Sequence, residues 1–196
     1  MTLLDQMLSM TGAEIAGFAL TLAAIWLAAR NRWQTWPLQI AAGLLYVWLF
    51  AAVNLYGEAA LNGLYVLLAG YGLRAWLRRD AGRPALPIGR MSRREHAWLW
   101  GLGLAGTAVV AQLQVQFLPT DLPWLDSTVF VFGCLAQWLQ ARRRLENWPL
   151  WIVLDLLAAG IYAYKDLQVT ALLYLVLAVL AGYGWLDWRR EAKGRG

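Results

Sequence analysis

The chain has 196 residues, 60% of them hydrophobic and 15% charged, with a formal net charge of +5 and a mean hydropathy of +0.46. A soluble domain carries about 45–50% apolar and about 25% charged residues, so a single water-soluble core is excluded and an integral membrane protein is expected. One cysteine, Cys134, excludes an intrachain disulfide, and one histidine, His96, leaves no His/Cys cluster to hold a metal.

Seven apolar runs approach the ~20 residues that cross a bilayer: 13–29, 37–55, 59–77, 97–118, 127–141, 149–165 and 170–187. The first has no basic segment before it, and Arg30 and Arg32 come after it, so a spanning helix rather than a signal peptide is expected. The second opens on Trp36-Pro37-Leu38. Proline is well placed in a first helical turn, and an indole is favoured at the membrane boundary. Tyr46 and Trp48 follow, and lining, lipid contact and packing all remain open for them. The third run carries Asn62 and Tyr65, three apart on one face.

The fourth run contains "GLGLAG" at residues 101–106, which mimics a dinucleotide fingerprint. It lies inside an apolar span with no strand before it, so that reading fails. Its Gln112, Gln114 and Gln116 cannot share a helical face and are expected to be interfacial or intersubunit groups. The fifth run holds Cys134, read as packing. The sixth opens on Trp148-Pro149-Leu150 and contains Trp151, Asp155 and Tyr162. The seventh starts near Thr170 and contains Tyr174.

With seven spans, the charges sort by side. Arg30, Arg32, Arg74, Arg78, Arg79, Arg83, Arg90, Arg93, Arg94, Arg142, Arg143, Arg144, Arg189, Arg190, Lys193 and Arg195 fall on one side. Asp5, Glu58, Asp121, Asp126 and Asp166, with Lys165, fall on the other. Basic residues concentrate on the cytoplasmic face, so the N-terminus is expected outside and the C-terminus inside. The Arg142–Arg144 run is read as a topology determinant rather than a phosphate site, and no nucleic-acid partner is expected.

An offset of 112 residues superimposes the two halves without a gap. Trp26 meets Trp138, Arg30 meets Arg142, and Arg32 meets Arg144. Trp36-Pro37-Leu38 meets Trp148-Pro149-Leu150, and Leu55 meets Leu167. Gly70-Tyr71-Gly72 meets Gly182-Tyr183-Gly184, and Trp76 meets Trp188. The fourth run matches neither half. The expected architecture is one all-α transmembrane domain over 1–196, with a three-helix repeat at 13–77, a linker helix at 97–118 and a second repeat at 126–188. An odd linker lets both repeats run in one direction, a transporter plan that places substrate near the midplane between them.

The halves differ on one face of the sixth span. Trp148, Trp151, Asp155 and Tyr162 share a roughly 60° arc. Their counterparts are Trp36, Gln39, Gly43 and Phe50. An ionisable group at membrane depth normally faces a cavity or a partner, so Asp155 is a candidate ligand group, with a carboxylate bonded to a neighbouring helix as the structural alternative. Asn62 aligns with Tyr174, which would set them on opposite walls of a shared cavity. Substrate contacts are therefore expected from Trp148, Trp151, Asp155, Tyr162, Tyr174, Asn62 and Tyr65. The sequence holds no P-loop, Ser/His/Asp set or carboxylate pair, so no catalytic residues and no cofactor are expected. A passive structural subunit is the alternative from another class.

The stretches "WPLQIAAGLLYVWLFAAVNLYGEAALNGLYVLLAGYGLRAW" and "RRRLENWPLWIVLDLLAAGIYAYKDLQVTALLYLVLAVLAGYGWLDW" resemble the PnuC family of nicotinamide riboside transporters, from about Glu14 to Trp188. The resemblance implies a SWEET-like three-plus-one-plus-three fold in the bacterial inner membrane, surrounded by lipid and assembled as a homotrimer. It implies facilitated diffusion of a vitamin precursor, made directional by a cytoplasmic kinase that phosphorylates the substrate. The family's Trp-x-x-Trp corresponds to Trp148 and Trp151, its following polar position to Asp155, and its seventh-span aromatic to Tyr174. The family often has Gln where this chain has Asn62, and some members are polar where it has Leu173. Related transporters carry thiamine or riboflavin, and these remain alternative substrates. Indole faces attract cationic rings by about 0.5–2 kcal/mol, and a carboxylate at 155 suits a pyridinium or thiazolium better than neutral riboflavin. No arginine interrupts the core of the spans, so a dephosphorylated ligand is expected.

Overall fold

The computed structural model describes residues 10–52, 54, 56–80, 87–117 and 121–194. Asp5, Leu55, Arg83 and Arg195 lie outside these, as do the side chains of Glu58, Arg78 and Arg79. The described chain forms seven helices: α1 Gly12–Ala29, α2 Thr35–Ala52, α3 Tyr56–Asp80, α4 Arg93–Phe117, α5 Pro123–Ala141, α6 Asn147–Tyr164 and α7 Gln168–Gly194. Four of them, α1, α2, α4 and α7, are long and apolar enough to cross a membrane. Of the other three, α5 and α6 carry polar residues that the fold turns inward: Gln137 and Gln140 of α5, and Asn147 and Asp155 of α6, are buried. Outward faces instead present Leu44, Trp48, Leu67, Leu104, Val153 and Val179. That inversion of the soluble pattern is what a hydrocarbon solvent selects.

Helix ends follow their local chemistry. Thr11 and Glu14 form a capping box before α1, and Ser92 and Glu95 form another before α4. Pro37 and Pro149 are the third residues of α2 and α6, where no helical N–H is lost.

Six helices close a ring. Neighbours pack in the order α1, α2, α3, α5, α6, α7 and back to α1, while α4 packs, among the described residues, only on α5. Residues 112 apart recur in matching environments. Among the described residues four non-glycine residues have positive φ: Asn31 (53°) and Arg143 (52°), and Asn54 (61°) and Asp166 (56°). They form two pairs at the offset. The guanidinium of Arg30 lies over Trp26 at 5.3 Å, and that of Arg142 over Trp138 at 5.0 Å.

The core sits at the arginine-rich end of the ring. Trp36, Trp76, Trp148 and Trp188 are all fully buried there. Trp36 meets Trp76 edge-on at 5.4 Å, Trp148 meets Trp188 the same way at 5.4 Å, and Trp76 and Trp188 join the pairs at 6.3 Å. Trp76 Nε1 donates to the Ala141 carbonyl at 3.1 Å, and Trp188 Nε1 donates to the Ala28 carbonyl at 3.1 Å. Each bond ties the last helix of one half to the end of the first helix of the other. The glycines of the duplicated Gly-Tyr-Gly explain themselves here. A Cβ on Gly72 would strike the Trp36 ring, and one on Gly184 would strike the Trp148 ring. Tyr71 and Tyr183 between them face outward.

The basic loops are structured as well as charged. Gly89 donates its N–H to the Arg143 carbonyl at 3.1 Å, and Leu145 donates to the Gly89 carbonyl at 2.9 Å. Arg144 donates Nη1 to the Arg90 carbonyl at 3.1 Å and pairs through Nη2 with Glu95 at 2.6 Å. Arg143 is buried with its guanidinium 4.5 Å from the Trp76 ring centre. The Arg142–Arg144 run therefore does structural work beyond setting topology. At the other end, Lys165 bridges α6 to Asp126 of α5 at 3.1 Å, and Ser127 donates to Gln114 of α4 at 3.1 Å. Gln114 thus has an intramolecular partner, while Gln112 and Gln116 are exposed.

Candidate functional site

Along α6 the four expected residues spread from one end of the membrane toward the other. At ~1.5 Å rise per residue, Trp148 and Tyr162 stand about 21 Å apart along the axis. Trp148 belongs to the tryptophan cluster at the arginine-rich end. One turn deeper, Trp151 packs against that cluster and against Phe132, Ala136 and Leu154. Its Nε1 is buried without a hydrogen-bond partner. Such a donor is costly to leave unmade, and Trp36 and Trp148 bury the same unpartnered indole N–H within the tryptophan cluster.

Asp155 follows, 5% exposed. Tyr65 of α3 and Tyr174 of α7 lie within electrostatic reach of its carboxyl, and both also sense Tyr162. Tyr162 and Tyr174 stack in parallel at 5.3 Å and 9°. The Tyr65 hydroxyl occupies the space that a side chain on Gly133 would take, and the Trp151 ring flanks the same glycine, 3.7 Å from where its Cβ would be. Tyr65 also meets Phe130 edge-on at 6.2 Å, and Gln137 Nε2 donates to the Tyr65 carbonyl at 3.0 Å. So α3, α5, α6 and α7 converge on one aromatic cluster around one carboxylate.

Tyr65, Trp151, Asp155, Tyr162 and Tyr174 are thus brought together. Trp148 sits apart from them in the tryptophan cluster at the arginine-rich end, and the half-buried Asn62 lies on α3, its backbone carbonyl beside Gly43 of α2. Two further residues join: Tyr46, for which the sequence left lining, lipid contact and packing open, and Cys134, which it read as packing. Tyr46 of α2 lies within electrostatic reach of Tyr174 and against Gly17 of α1. Cys134 lies within reach of Tyr65. Tyr46 was recoverable: it is three residues after Gly43, on the face equivalent to that of Asp155. Trp48, two residues on, is exposed outward. Cys134 gave no such signal, since a small apolar-span residue fits packing equally well. Among the described residues no group of His, Cys, Asp and Glu fits a metal.

The cluster can stack a flat ring between aromatic faces, offer one carboxylate to a cation or hydroxyl, and supply phenol and indole donors. It holds no lysine or arginine. Two surface cavities are separate from it. One, of about 170 Å³, lies at the arginine-rich end; the other, of about 640 Å³, lies between the outer faces of α6 and α7.

Residues 11–190 match the family model described as nicotinamide mononucleotide transporter. The chain is 28% identical over 192 residues to the riboflavin/roseoflavin transporter RibM of Streptomyces davaonensis, covering 92% of this chain and 88% of that one. It is 24% identical over 208 residues to the nicotinamide riboside transporter PnuC of Escherichia coli, covering 93% and 87%. It is 30% identical over 166 residues to PnuC of Neisseria mucosa, covering 77% and 63%. A crystal structure of the vitamin B3 transporter PnuC shares the fold with a TM-score of 0.71 at 23% identity, over 92% of this chain and 82% of that one. The ring of apolar helices, the aromatic cluster around Asp155 and the match across nearly the whole chain make this a multi-pass membrane protein of the nicotinamide mononucleotide transporter family, a vitamin transporter of the PnuC type.

Proposed function

We propose that the protein takes up nicotinamide riboside by facilitated diffusion, holding it at the midplane between two parallel three-helix repeats, α1–α3 and α5–α7. The observation that carries this reading is Asp155, a buried carboxylate within an aromatic cluster. A cationic pyridinium gains from both: the rings attract it through their faces, and the Asp155 carboxyl is the group that can take up the compensating negative charge as the cation binds. The absence of lysine and arginine from the cluster favours a riboside over its phosphorylated form. Trp151 Nε1 and the Tyr65 and Tyr174 hydroxyls are the donors and acceptors for ribose or amide.

The arginine-rich end is cytoplasmic in this reading, as the distribution of basic residues favours, so the N-terminal side of α1 faces outward across the inner membrane. The tryptophan cluster then closes the inward path. Release requires the Trp76 and Trp188 hydrogen bonds between the halves to part. A homotrimer and a cytoplasmic kinase that traps the product complete the proposal.

A second reading is riboflavin transport, favoured by the extent of the match to RibM. Titration of the purified protein, followed by tryptophan fluorescence, with nicotinamide riboside, riboflavin and thiamine decides between them. Saturable binding of nicotinamide riboside that Asp155→Asn weakens supports the proposal. Tighter binding of riboflavin, indifferent to Asp155→Asn, replaces it with the second reading. Uptake into liposomes containing only this protein separates a transporter from a passive subunit.

A further inference from the structure

The ~170 Å³ cavity at the arginine-rich end has a composition that vitamin transport does not use. Its floor is apolar, formed by Ile88 and Leu145, and its walls carry Arg90, Arg189 and Lys193. No carboxylate is among its described lining residues. Arg189 and Lys193 stand four apart on α7, where like charges on one helical face repel, and both face a third cation from the α3–α4 loop. Among the described residues none of the three makes an ion pair. Of the carboxylates on the adjoining segments, Glu95 pairs with Arg144 and Glu191 accepts from Asn31, while Glu146, next to Leu145, buries one oxygen without a hydrogen-bond partner and is not among the lining residues. Topology alone asks only that basic residues lie on this side; it does not ask that three converge on one concavity.

We propose that this cavity binds a phosphate group, either the headgroup of an anionic phospholipid or a soluble phosphomonoester. At ~30 Å³ per water the space of about 170 Å³ equals roughly six waters, enough for a tetrahedral phosphate and its ester oxygen. Arginine offers phosphate a planar fork of donors, and lysine adds a point charge. Ile88 and Leu145 belong to the same buried cluster as Trp36, Trp76, Trp148 and Trp188. An anion bridging α7 to the α3–α4 loop therefore braces the tryptophan cluster, which in the transport reading above closes the inward path.

The test is thermal denaturation of the full chain in nanodiscs, without any vitamin. Inorganic phosphate is titrated against sodium chloride at equal ionic strength in phosphatidylcholine discs, and phosphatidylcholine discs are compared with discs containing phosphatidylglycerol. A saturable rise in midpoint with phosphate assigns a soluble ligand; a rise only with phosphatidylglycerol assigns a lipid. Either response should weaken about tenfold or more in apparent affinity in Arg189→Ala/Lys193→Ala, since charge-assisted bonds are lost, and should persist in Arg142→Ala, an exposed arginine outside the cavity. Arg90→Ala, on a different segment, gives the same reading if the double variant does not fold. The proposal is overturned by no response to either anion, or by equal loss in Arg142→Ala, which would mean diffuse surface charge.

Discussion

The duplicated Gly-Tyr-Gly yields a test in which neighbouring glycines should behave oppositely. A Cβ on Gly184 would lie 2.6 Å from two carbons of the Trp148 indole. Carbon contacts are comfortable at about 3.5–4.0 Å, so a ring buried on every side would have to retreat by about 1 Å. Gly72 faces Trp36 in the same way, whereas nothing lies within 4 Å of a Cβ on Gly70 or Gly182. Alanine gains about 0.5–1 kcal/mol over glycine inside a helix, and overpacking a rigid core costs about 1–3 kcal/mol. The propensity gain is common to all four positions and cancels in a comparison. Gly72→Ala should therefore be less stable than Gly70→Ala by about 1–3 kcal/mol, and Gly184→Ala less stable than Gly182→Ala by a similar amount. Thermal denaturation in one detergent, followed by far-UV circular dichroism, ranks the four. If Gly72→Ala and Gly184→Ala match or exceed their partners, the tryptophans are not held against α3 and α7 as described.

Trp188→Phe removes the indole donor to the Ala28 carbonyl along with part of a buried ring, and should lower stability by about 1–3 kcal/mol in the same denaturation assay. Asp155→Ala and Trp151→Ala should each weaken nicotinamide riboside binding about tenfold or more, the scale of a lost hydrogen bond to a charged group, and Trp151→Ala should also lower the melting midpoint because it empties a site between two packed clusters; calorimetric titration of the folded variants checks the binding. Lys165→Ala should cost only about 0.2–1 kcal/mol, because its pair with Asp126 is partly exposed, and the difference from wild type should shrink in high salt. The Ser92 backbone N–H, with help from the Ser92 hydroxyl and Arg144, holds the Glu95 carboxyl below the usual carboxylate range. A lowered folded-state value gives stability that is fully present above the ordinary carboxylate range and fades as pH falls through the lowered value. The melting midpoint of Glu95→Gln should accordingly be flatter with pH below about 5 than that of wild type.

Much of the fold was legible because the duplication repeats rare residues. Trp-Pro-Leu and Gly-Tyr-Gly at one offset outweigh any matching of leucines, and the prolines mark first turns in both halves. The destination of the tryptophans was not legible. Trp148 and Trp151 share a helical face, and periodicity alone assigns both to one cavity. Tertiary packing separates them, because Gly184 admits the Trp148 ring against α7 while Trp151 turns toward Gly133 on α5. Arg143 was equally opaque: it reads as one of three loop charges, yet a left-handed backbone turns its side chain onto Trp76. The positive φ was hidden because the equivalent residue, Asn31, is of a type that adopts it readily and arginine is not. Asp155 was the clearest signal, since a lone carboxylate in an apolar span has few structural uses.

A closed ring has a consequence for biogenesis. Helices leave the ribosome in order, but α1 finds its last neighbour only when α7 arrives, and the Trp188–Ala28 bond joins positions 160 residues apart. Until then the part of α1 that meets α7, with its buried Ala28, is unpaired in the bilayer. Completion of the fold is thus a late, long-range event, slow for the same reason that distant contacts slow any chain. A chain stopped before α7 should remain an open chain of inserted helices exposed to membrane proteolysis, however well α1–α3 associate among themselves.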